Sequence, residues 1–285
     1  ATVLSAQVAS FVAVSAWAFW RLYRAGGIGA WDPDIVRESG AFGARAYGAT
    51  LGSLAVARLD LVLLPAFVVA DEIGLYVVAV SAATMIVGLF GSMSLVVFPT
   101  AARAGRDGGA VIIQRALRSV LLGSVIVAAA LALVAPFLLR LRYGEDFVGA
   151  TDSLRLLLPG ACCLAGTQIL SGGLSGLNHP GLASIAHAVG AAVTLVGLVA
   201  LLPVLGIIGA ALVSTTAYAL VFAMQLAFFC RVSGTRLVDA IDPIAGLGDL
   251  RWMVGSLRDR VGTGTVPVIT PEPLTSRAVV LMLSA

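Results

Sequence analysis

The sequence has very little charge for its length. Of its 285 residues, 12% are charged and 59% are hydrophobic, and the mean hydropathy is +1.01. About 25% of the residues in a soluble globular domain are charged, so this composition excludes an ordinary soluble domain. It predicts an all-α, polytopic membrane helix bundle. The net charge of +3 does not indicate nucleic-acid binding, because the basic residues lie between the hydrophobic segments.

Lysine is absent, and all 18 basic residues are arginine. We interpret this absence as the bias of a GC-rich coding sequence. It has one chemical consequence, which is that any cation that binds an anion here must be a guanidinium. The planar guanidinium fork suits phosphate oxygens.

Cysteine is scarce, and the three cysteines lie in or at the end of apolar segments. The adjacent pair Cys162 and Cys163 cannot easily form a disulfide, and neither they nor Cys230 show the spacing of a metal site. We interpret all three as small buried hydrophobic residues. We therefore expect no bound metal and no cofactor.

Patterns typical of catalytic sites are also missing. The two histidines, His179 and His187, have no carboxylate or cysteine partner nearby in the sequence. No motif of zinc proteases, serine hydrolases, phosphate-binding loops or aspartate-rich Mg²⁺ sites occurs. The glycine-rich run Ser171–Gly176 lies inside a hydrophobic segment, where helix packing explains it better than phosphate binding. We expect no enzyme activity and no catalytic residue.

Seven segments are long and apolar enough to cross a bilayer, which takes roughly 20 apolar residues. We expect Pro99 to close the third, Pro159 to interrupt the fifth and Pro203 to end the sixth. The connections Asn178–Pro180 and Pro203–Leu205 are short, so they should join antiparallel neighbours. The segments are Thr2–Tyr23, Ile35–Val69, Ile73–Phe98, Ala116–Leu139, Ser153–Leu177, Leu182–Leu202 and Gly206–Cys230.

Arginines are unequally distributed between the two sides that these segments define. One side carries the connections after the first, third and fifth segments and the C-terminal tail. It holds most of the arginines, in the first and third of these connections and in the tail, whereas acidic residues dilute the arginines of Arg140–Asp152 on the other side. The positive-inside rule then predicts a cytoplasmic C-terminus and places residue 1 outside. Because an odd number of spans begins outside without a start signal, we expect the chain to be incomplete at its N-terminus.

The second segment, Ile35–Val69, is unusual because it carries five charges. Charges in a spanning helix are costly and usually face a bundle interior or a water-filled cavity. Helical geometry places Arg45 and Asp60 near one face, whereas Arg58 and Asp60 do not face each other. Arg45 also shares a face with the small residues Ala41, Gly48 and Gly52, which should leave room for a cavity. Two interpretations stay open: these charges line a pathway, or they form ion pairs that join two helices. The five charged residues are Arg37, Glu38, Arg45, Arg58 and Asp60.

Five other polar residues of the hydrophobic segments are weaker candidates for the lining of a cavity. They are Gln168, Asn178, His187, Thr194 and Gln225. Hydrogen bonds between helices explain them equally well. The complete set of candidate substrate-binding residues is Arg45, Arg58, Asp60, Gln168, Asn178, His187 and Gln225.

A series of short motifs between Arg58 and Ala217 resembles a known family. They are RLDLVLLPAF (58–67), EIGLYVVA (72–79), VVFPTAA (96–102), RYGEDF (142–147), LRLLLPG (154–160), LSGLNHP (174–180) and GIIGAA (206–211). In order and spacing they resemble the C-terminal lobe of Wzx-type O-antigen and oligosaccharide flippases. These are polysaccharide biosynthesis proteins of the MOP superfamily.

The resemblance implies a two-lobe transporter with a MATE/MOP-like fold. It implies movement of undecaprenyl-pyrophosphate-linked oligosaccharide across the cytoplasmic membrane for surface polysaccharide assembly. Arg45 would attract the pyrophosphate, and Asp60 would be a candidate for a coupling cation or proton. The partners would be the lipid-linked oligosaccharide, membrane lipids and a missing N-terminal lobe. Residues 1–24 would be the last helix of that lobe, 25–233 the six-helix C-terminal lobe, and 234–285 a cytoplasmic tail with a short amphipathic helix and a disordered end.

Other functions fit the same sequence. Within the superfamily these are a lipid II flippase or a multidrug/cation antiporter, although arginines in place of isolated carboxylates argue against cationic drugs. A non-transporting membrane scaffold is a second class. A membrane-embedded glycan polymerase or ligase is a third class, but it would need large outer loops, and the outer connection Arg140–Asp152 is short.

Overall fold

The computed structural model describes residues 2–26, 33–243 and 245–249, which contain helices and turns and no strand. The prediction of an all-helical protein is therefore confirmed for this part of the chain. Single 3-10 turns follow α2, at Leu64–Ala66, and precede α5, at Glu145–Phe147. The helices are α1 (Thr2–Gly26), α2 (Pro33–Leu63), α3 (Ala70–Gly91), α4 (Ser94–Tyr143), α5 (Ala150–Gly176), α6 (Pro180–Ser233) and α7 (Leu237–Ala240).

Five helical stretches of the described residues are long and apolar enough to cross a membrane. They support the prediction of a helical membrane protein. The last stretch contains two of the segments predicted separately, Leu182–Leu202 and Gly206–Cys230. The merging of these two segments accounts for one of the two missing spans, and the predicted segment Thr2–Tyr23 is the other, because it is not among the five stretches. The five stretches are Ser39–Ala66, Ala70–Gly105, Gly108–Tyr143, Ala150–Gly176 and Pro180–Ser233.

The chain divides into two compact units, Ala1–Ala44 and Arg45–Ala285. In the first unit, α1 ends in exposed aromatic residues that contact arginines. The guanidinium of Arg24 lies 4.5 Å from the ring centre of Trp20, and that of Arg21 lies 5.5 Å from Trp17. Tryptophan is enriched where a membrane helix meets water, so this end of α1 has the composition of an interfacial region.

In the second unit, α4 and α6 each reverse direction at a glycine. Gly105 has φ 70° and Gly206 has φ 54°, a backbone conformation that glycine adopts at little cost. Across the second reversal, a Cβ on Gly197 would lie 2.8 Å from the Val213 side chain, so the chain folds back on itself. We call residues 94–104 and 106–143 the first and second arms of α4, and residues 180–205 and 207–233 the first and second arms of α6.

These reversals differ from the predicted helix ends. Pro99 and Pro203 lie inside α4 and α6, and the chain turns a few residues later, at Gly105 and Gly206. Pro159 likewise lies inside α5, which continues to Gly176. Prolines are tolerated in membrane helices because neighbouring groups satisfy the backbone carbonyls that they free. The expectation that prolines end these helices was wrong.

Helix α5 is the centre of the second unit. In its most apolar part 72% of the residues are buried, whereas the corresponding share is 17–33% in the other four candidate spans. A Cβ on Gly173 would lie 2.8 Å from Ile113, and one on Gly166 would lie 3.0 Å from Leu121. The earlier residue of α5 thus meets the later residue of the second arm of α4, so these two helices run antiparallel. Glycines let these backbones approach closely.

The beginning of the C-terminal tail docks on the second arm of α4. The backbone carbonyl of Asp239 accepts hydrogen bonds from Nε2 of Gln114 at 2.6 Å and from Nε of Arg118 at 2.7 Å. Asp249 lies 3.7 Å from Arg118 and 3.9 Å from Arg115. This part of the tail is therefore packed against the bundle. Residues 245–249 are helical and include Leu247 and Asp249, the first residues of the predicted amphipathic helix. The rest of that helix and the predicted disordered end lie outside the described residues.

Candidate functional site

From Arg45 onward, the charged helix α2 has a buried and an exposed face. Val56, Asp60 and Leu64 are fully buried and are spaced four residues apart, which places them on one face. Arg58 is exposed, and a separation of two residues turns it about 200° away from Asp60. The structure thus separates the two charges, as the helical geometry predicts, and gives them different environments.

The Asp60 carboxylate is enclosed in hydrogen-bond donors from three helices. Its Oδ2 accepts from the Tyr76 hydroxyl of α3 at 2.7 Å and from Oγ of Ser214, in the second arm of α6, at 3.2 Å. Its Oδ1 accepts from the backbone N–H of Leu61 at 2.8 Å. Asp60 has no exposed surface. A carboxylate in an apolar bundle requires such donors, and here they tie α2 to α3 and α6.

Two other predicted residues meet in a second cluster. Oγ of Ser171 in α5 donates to Oε1 of Gln225 at 3.0 Å and lies 3.4 Å from Nε2 of His187. Because the serine proton goes to Gln225, the contact with His187 uses an N–H at Nε2. Among the described residues, Nδ1 of His187 and Nε2 of Gln225 are buried without a hydrogen bond. This cluster joins α5 to both arms of α6.

Helix α2 covers the second cluster through a pair of glycines. A Cβ on Gly52 would lie 2.7 Å from Cβ of His187, and one on Gly48 would lie 3.4 Å from Oγ of Ser184. These glycines are four residues apart and face the first arm of α6. Small residues on α2 beside Arg45 were expected to leave room for a cavity, but in the structure Gly48 and Gly52 allow close helix packing instead.

Arg45 and Arg58 of α2 point away from the packed interior. Arg45 and Arg58 are exposed, and neither forms an ion pair with any residue that the structure describes. The backbone carbonyl of Arg45 accepts a hydrogen bond from Oγ of Ser184, which anchors the helix while the guanidinium stays outside. Asp60 does not share this environment, although helical geometry placed it near the face of Arg45, because Tyr76 and Ser214 enclose it within the bundle.

Gln168 and Asn178, the last two predicted residues, lie in a helix contact and in a turn. The Gln168 side chain of α5 packs beside Gly91, where an added Cβ would lie 3.4 Å from it. Asn178 is exposed in the turn before α6 with φ 64°, a left-handed conformation that asparagine tolerates. The structure therefore distributes the seven candidates over several places and brings together His187 and Gln225 alone, through Ser171.

Tyr76, Ser214 and Ser171 were not predicted from the sequence. Each is an ordinary polar residue in an apolar segment, and no motif singles it out. The available signal was indirect, because an intramembrane Asp60 implies that donors must approach it from neighbouring helices. No group of three or more histidine, cysteine, aspartate or glutamate side chains suited to a metal ion occurs in the described part of the chain.

Comparisons with models of known protein families, with curated proteins and with solved structures found no match.

Proposed function

We propose that this chain is part of a membrane transporter that moves an anionic, lipid-linked oligosaccharide across the cytoplasmic membrane, with α2 lining the pathway. The substrate class and the MATE/MOP-like fold come from the resemblance to Wzx-type flippases. Undecaprenyl pyrophosphate is the expected carrier. The hydrophilic glycan and the diphosphate cannot enter hydrocarbon unaided, so the transporter must offer them a polar path.

The observation that carries this proposal is the position of Arg58. It lies eight residues before the end of the candidate span Ser39–Ala66, about 12 Å along a helix. The residues around it on the exposed face are apolar, namely Leu51, Leu54 and Val62, which are 51%, 58% and 70% exposed. A guanidinium that faces lipid hydrocarbon at this depth is costly. The cost is avoided if this face borders a water-filled pathway that admits an anion.

Arg45 extends the same argument toward the other end of the span. It lies six residues after Ser39, about 9 Å along the helix, and its guanidinium is also unpaired among the described residues. Two guanidiniums at different depths give a diphosphate successive binding positions. Each position offers paired N–H donors that match phosphate oxygens.

The Asp60 cluster supports this arrangement without contacting the substrate. Its donors from α3 and α6 hold the deep half of α2, so the orientation of Arg58 is fixed by packing on the opposite side of the helix. In this proposal Asp60 is a positioning residue. A coupling cation or proton at Asp60 would have to displace or share the hydrogen bonds from Tyr76 and Ser214.

The test is a flipping assay with purified protein in liposomes that contain fluorescent undecaprenyl-pyrophosphate-linked oligosaccharide. A membrane-impermeant reductant destroys the label in the outer leaflet, and further loss of fluorescence reports flipping. We expect Arg58→Ala to slow flipping by about tenfold or more, because a hydrogen bond to a charged group contributes about 1.5–3 kcal/mol. Arg58→Lys should recover part of the rate, because an ammonium keeps the charge but loses the fork.

The matched control is Arg140→Ala. Arg140 is exposed, like Arg58, but it lies at the end of α4 and pairs with Glu145 at 2.8 Å. Its removal should leave flipping unchanged. No flipping by the wild-type protein, or the same rate in Arg58→Ala as in wild type, contradicts the proposal.

A non-transporting scaffold is the second candidate. The closed Asp60 cluster favours it, because a fully hydrogen-bonded carboxylate that joins three helices stabilises one conformation. In a scaffold, the exposed face of α2 would bind a neighbouring protein through Arg58. The flipping assay then gives no signal for any variant, whereas Arg58→Ala releases that neighbour during purification.

A further inference from the structure

The junction between α6 and the tail combines exposed apolar side chains with arginines. Leu237, Val238, Ile241 and Leu247 are 52%, 75%, 42% and 51% exposed. Two exposed arginines precede them in the chain, Arg231 in the last turn of α6 and Arg236 immediately before α7. We call these six residues the tail surface: Arg231, Arg236, Leu237, Val238, Ile241 and Leu247.

The orientation of the tail surface is fixed by its inner side. Ala240 is fully buried and packs in the same cluster as Phe229 and Leu117. The carbonyl of Asp239 accepts the hydrogen bonds of Gln114 and Arg118 described above. Since these contacts hold one side of the segment against the bundle, the apolar residues beside Ala240 must face outward.

The position of the tail surface along the bundle follows from the adjoining helices. The candidate span Pro180–Ser233 ends four residues before Leu237, and four residues of extended chain reach at most about 14 Å. The span Gly108–Tyr143 begins six residues before Gln114, which holds the tail. Two span ends therefore lie near the tail surface. This is the level at which hydrocarbon gives way to lipid headgroups.

The charges nearby leave a basic excess on the tail surface. Asp249 is engaged by Arg115 and Arg118, and the carboxylate of Asp242 accepts the backbone N–H of Ala245 at 3.4 Å. Asp239 contributes one exposed carboxylate. Arg231 and Arg236 form no ion pair within the described part of the chain. With Arg115 and Arg118, four arginines lie near three carboxylates, those of Asp239, Asp242 and Asp249, which leaves an excess of one positive charge.

We propose that the tail surface is an interfacial binding site for anionic phospholipid. Its four apolar side chains insert at the boundary between headgroups and acyl chains, as the apolar face of an interfacial helix does. Arg231 and Arg236 bind the lipid phosphates, for which a guanidinium fork is well suited. The partner is the headgroup of a bilayer lipid, since the exposed apolar residues that follow the arginines would remain in water with a free phosphate.

The test measures the environment of residue 238 in the whole chain. Val238→Cys is made in a chain whose three cysteines are replaced by alanine, and it is labelled with an environment-sensitive fluorophore. The protein is reconstituted in phosphatidylcholine or in an equal mixture of phosphatidylcholine and phosphatidylglycerol. Quenching by lipid-attached nitroxide is compared with quenching by iodide in water. Val204→Cys is the matched control, because Val204 is 77% exposed and lies at the turn between the arms of α6.

We expect the label at 238 to be quenched from the lipid, and more strongly in the mixture that contains phosphatidylglycerol. Arg231→Gln and Arg236→Gln should each weaken the binding of anionic lipid by about fivefold and so reduce the lipid quenching in that mixture, because an arginine near an anionic surface contributes that much. High salt should reduce the difference between the two lipids. The label at 204 should not distinguish the two lipids.

Three outcomes would overturn the proposal. Iodide quenching at 238 in both lipids means that the tail surface faces water. Equal lipid quenching in both mixtures, unchanged in the glutamine variants, means an apolar contact without headgroup recognition. Protection from both quenchers means that another protein segment covers the surface.

Discussion

The hydroxyl of Tyr76 donates a hydrogen bond of 2.7 Å to Oδ2 of Asp60, and neither side chain has any exposed surface. The bond joins α2 to α3, and Ser214 extends it to α6 through a contact of 3.2 Å with the same oxygen. A buried carboxylate that loses a donor keeps its desolvation cost and loses its compensation. The stability of this part of the bundle should therefore depend on Tyr76.

Removal of the Tyr76 hydroxyl tests this dependence. We expect Tyr76→Phe to lower the free energy of unfolding by about 1–3 kcal/mol, because it leaves a buried charged acceptor short of a donor. Ser214→Ala should cost less, since its bond is longer. The measurement is thermal or denaturant unfolding of the purified protein in detergent.

The control for this prediction is Tyr143→Phe. Tyr143 is 47% exposed and contacts the ring of Phe147 at 5.6 Å, a contact that phenylalanine preserves. It should unfold like the wild type. Equal stability of Tyr76→Phe and Tyr143→Phe would show that the bond to Asp60 contributes nothing measurable.

Close packing of α2 on α6 gives a second prediction. A Cβ on Gly52 would lie 2.7 Å from Cβ of His187, and no side-chain rotation can move a Cβ away. Gly52→Ala should therefore displace α2 and destabilise the protein by about 1–3 kcal/mol, as overpacking does. Unfolding in detergent measures the effect.

Gly88→Ala is the matched substitution. Gly88 lies within α3, and an added Cβ there meets nothing within 4 Å. Alanine has the higher helix propensity, by about 0.8–1.0 kcal/mol, so this variant should be as stable as the wild type or more stable. If both alanine variants behave alike, the contact between Gly52 and His187 does not limit the packing.

The sequence predicts the helical architecture well, because hydrophobic segments of membrane length leave few alternatives. It also predicts that Arg58 and Asp60 diverge, which follows from two residues of helix. It does not predict the partners of Asp60. Tyr76 and Ser214 are 16 and 154 residues away in the chain, and their meeting depends on how three helices pack and on their relative rotation.

The helix reversals show a second limit. Pro203 was expected to end its helix, yet the chain turns at Gly206. Proline marks a weakened hydrogen-bond ladder, whereas a sharp reversal needs a backbone conformation that glycine provides. Small residues beside Arg45 were similarly ambiguous, because a glycine can serve a cavity or a close helix contact. Only the position of His187 decides between them for Gly52.

Arg45 is exposed, so its replacement can distinguish binding of the pyrophosphate from a structural ion pair. If Arg45 binds the pyrophosphate, Arg45→Ala in the intact protein should abolish surface glycan. It should leave the amount of membrane protein nearly normal, because no buried partner loses its counter-charge. Arg45→Lys should restore part of the glycan. Surface glycan and membrane protein are measured in the same cells. Normal glycan in the alanine variant would remove Arg45 from the pathway, and loss of protein together with glycan would indicate a structural ion pair.

The two ends of α5 test the orientation in the membrane. Asp146 lies in the 3-10 turn before α5 and His179 in the turn after it, and both are exposed. The 27 residues of Ala150–Gly176 extend about 40 Å as a helix, enough to cross a bilayer, so the two positions should lie on opposite sides. The arginine distribution places Asp146 outside and His179 in the cytoplasm.

In a chain without its own three cysteines, a membrane-impermeant maleimide should label Asp146→Cys in intact cells and His179→Cys only after permeabilisation. Labelling of position 179 but not 146 in intact cells would reverse the orientation, and labelling of both would mean that α5 does not separate the two sides.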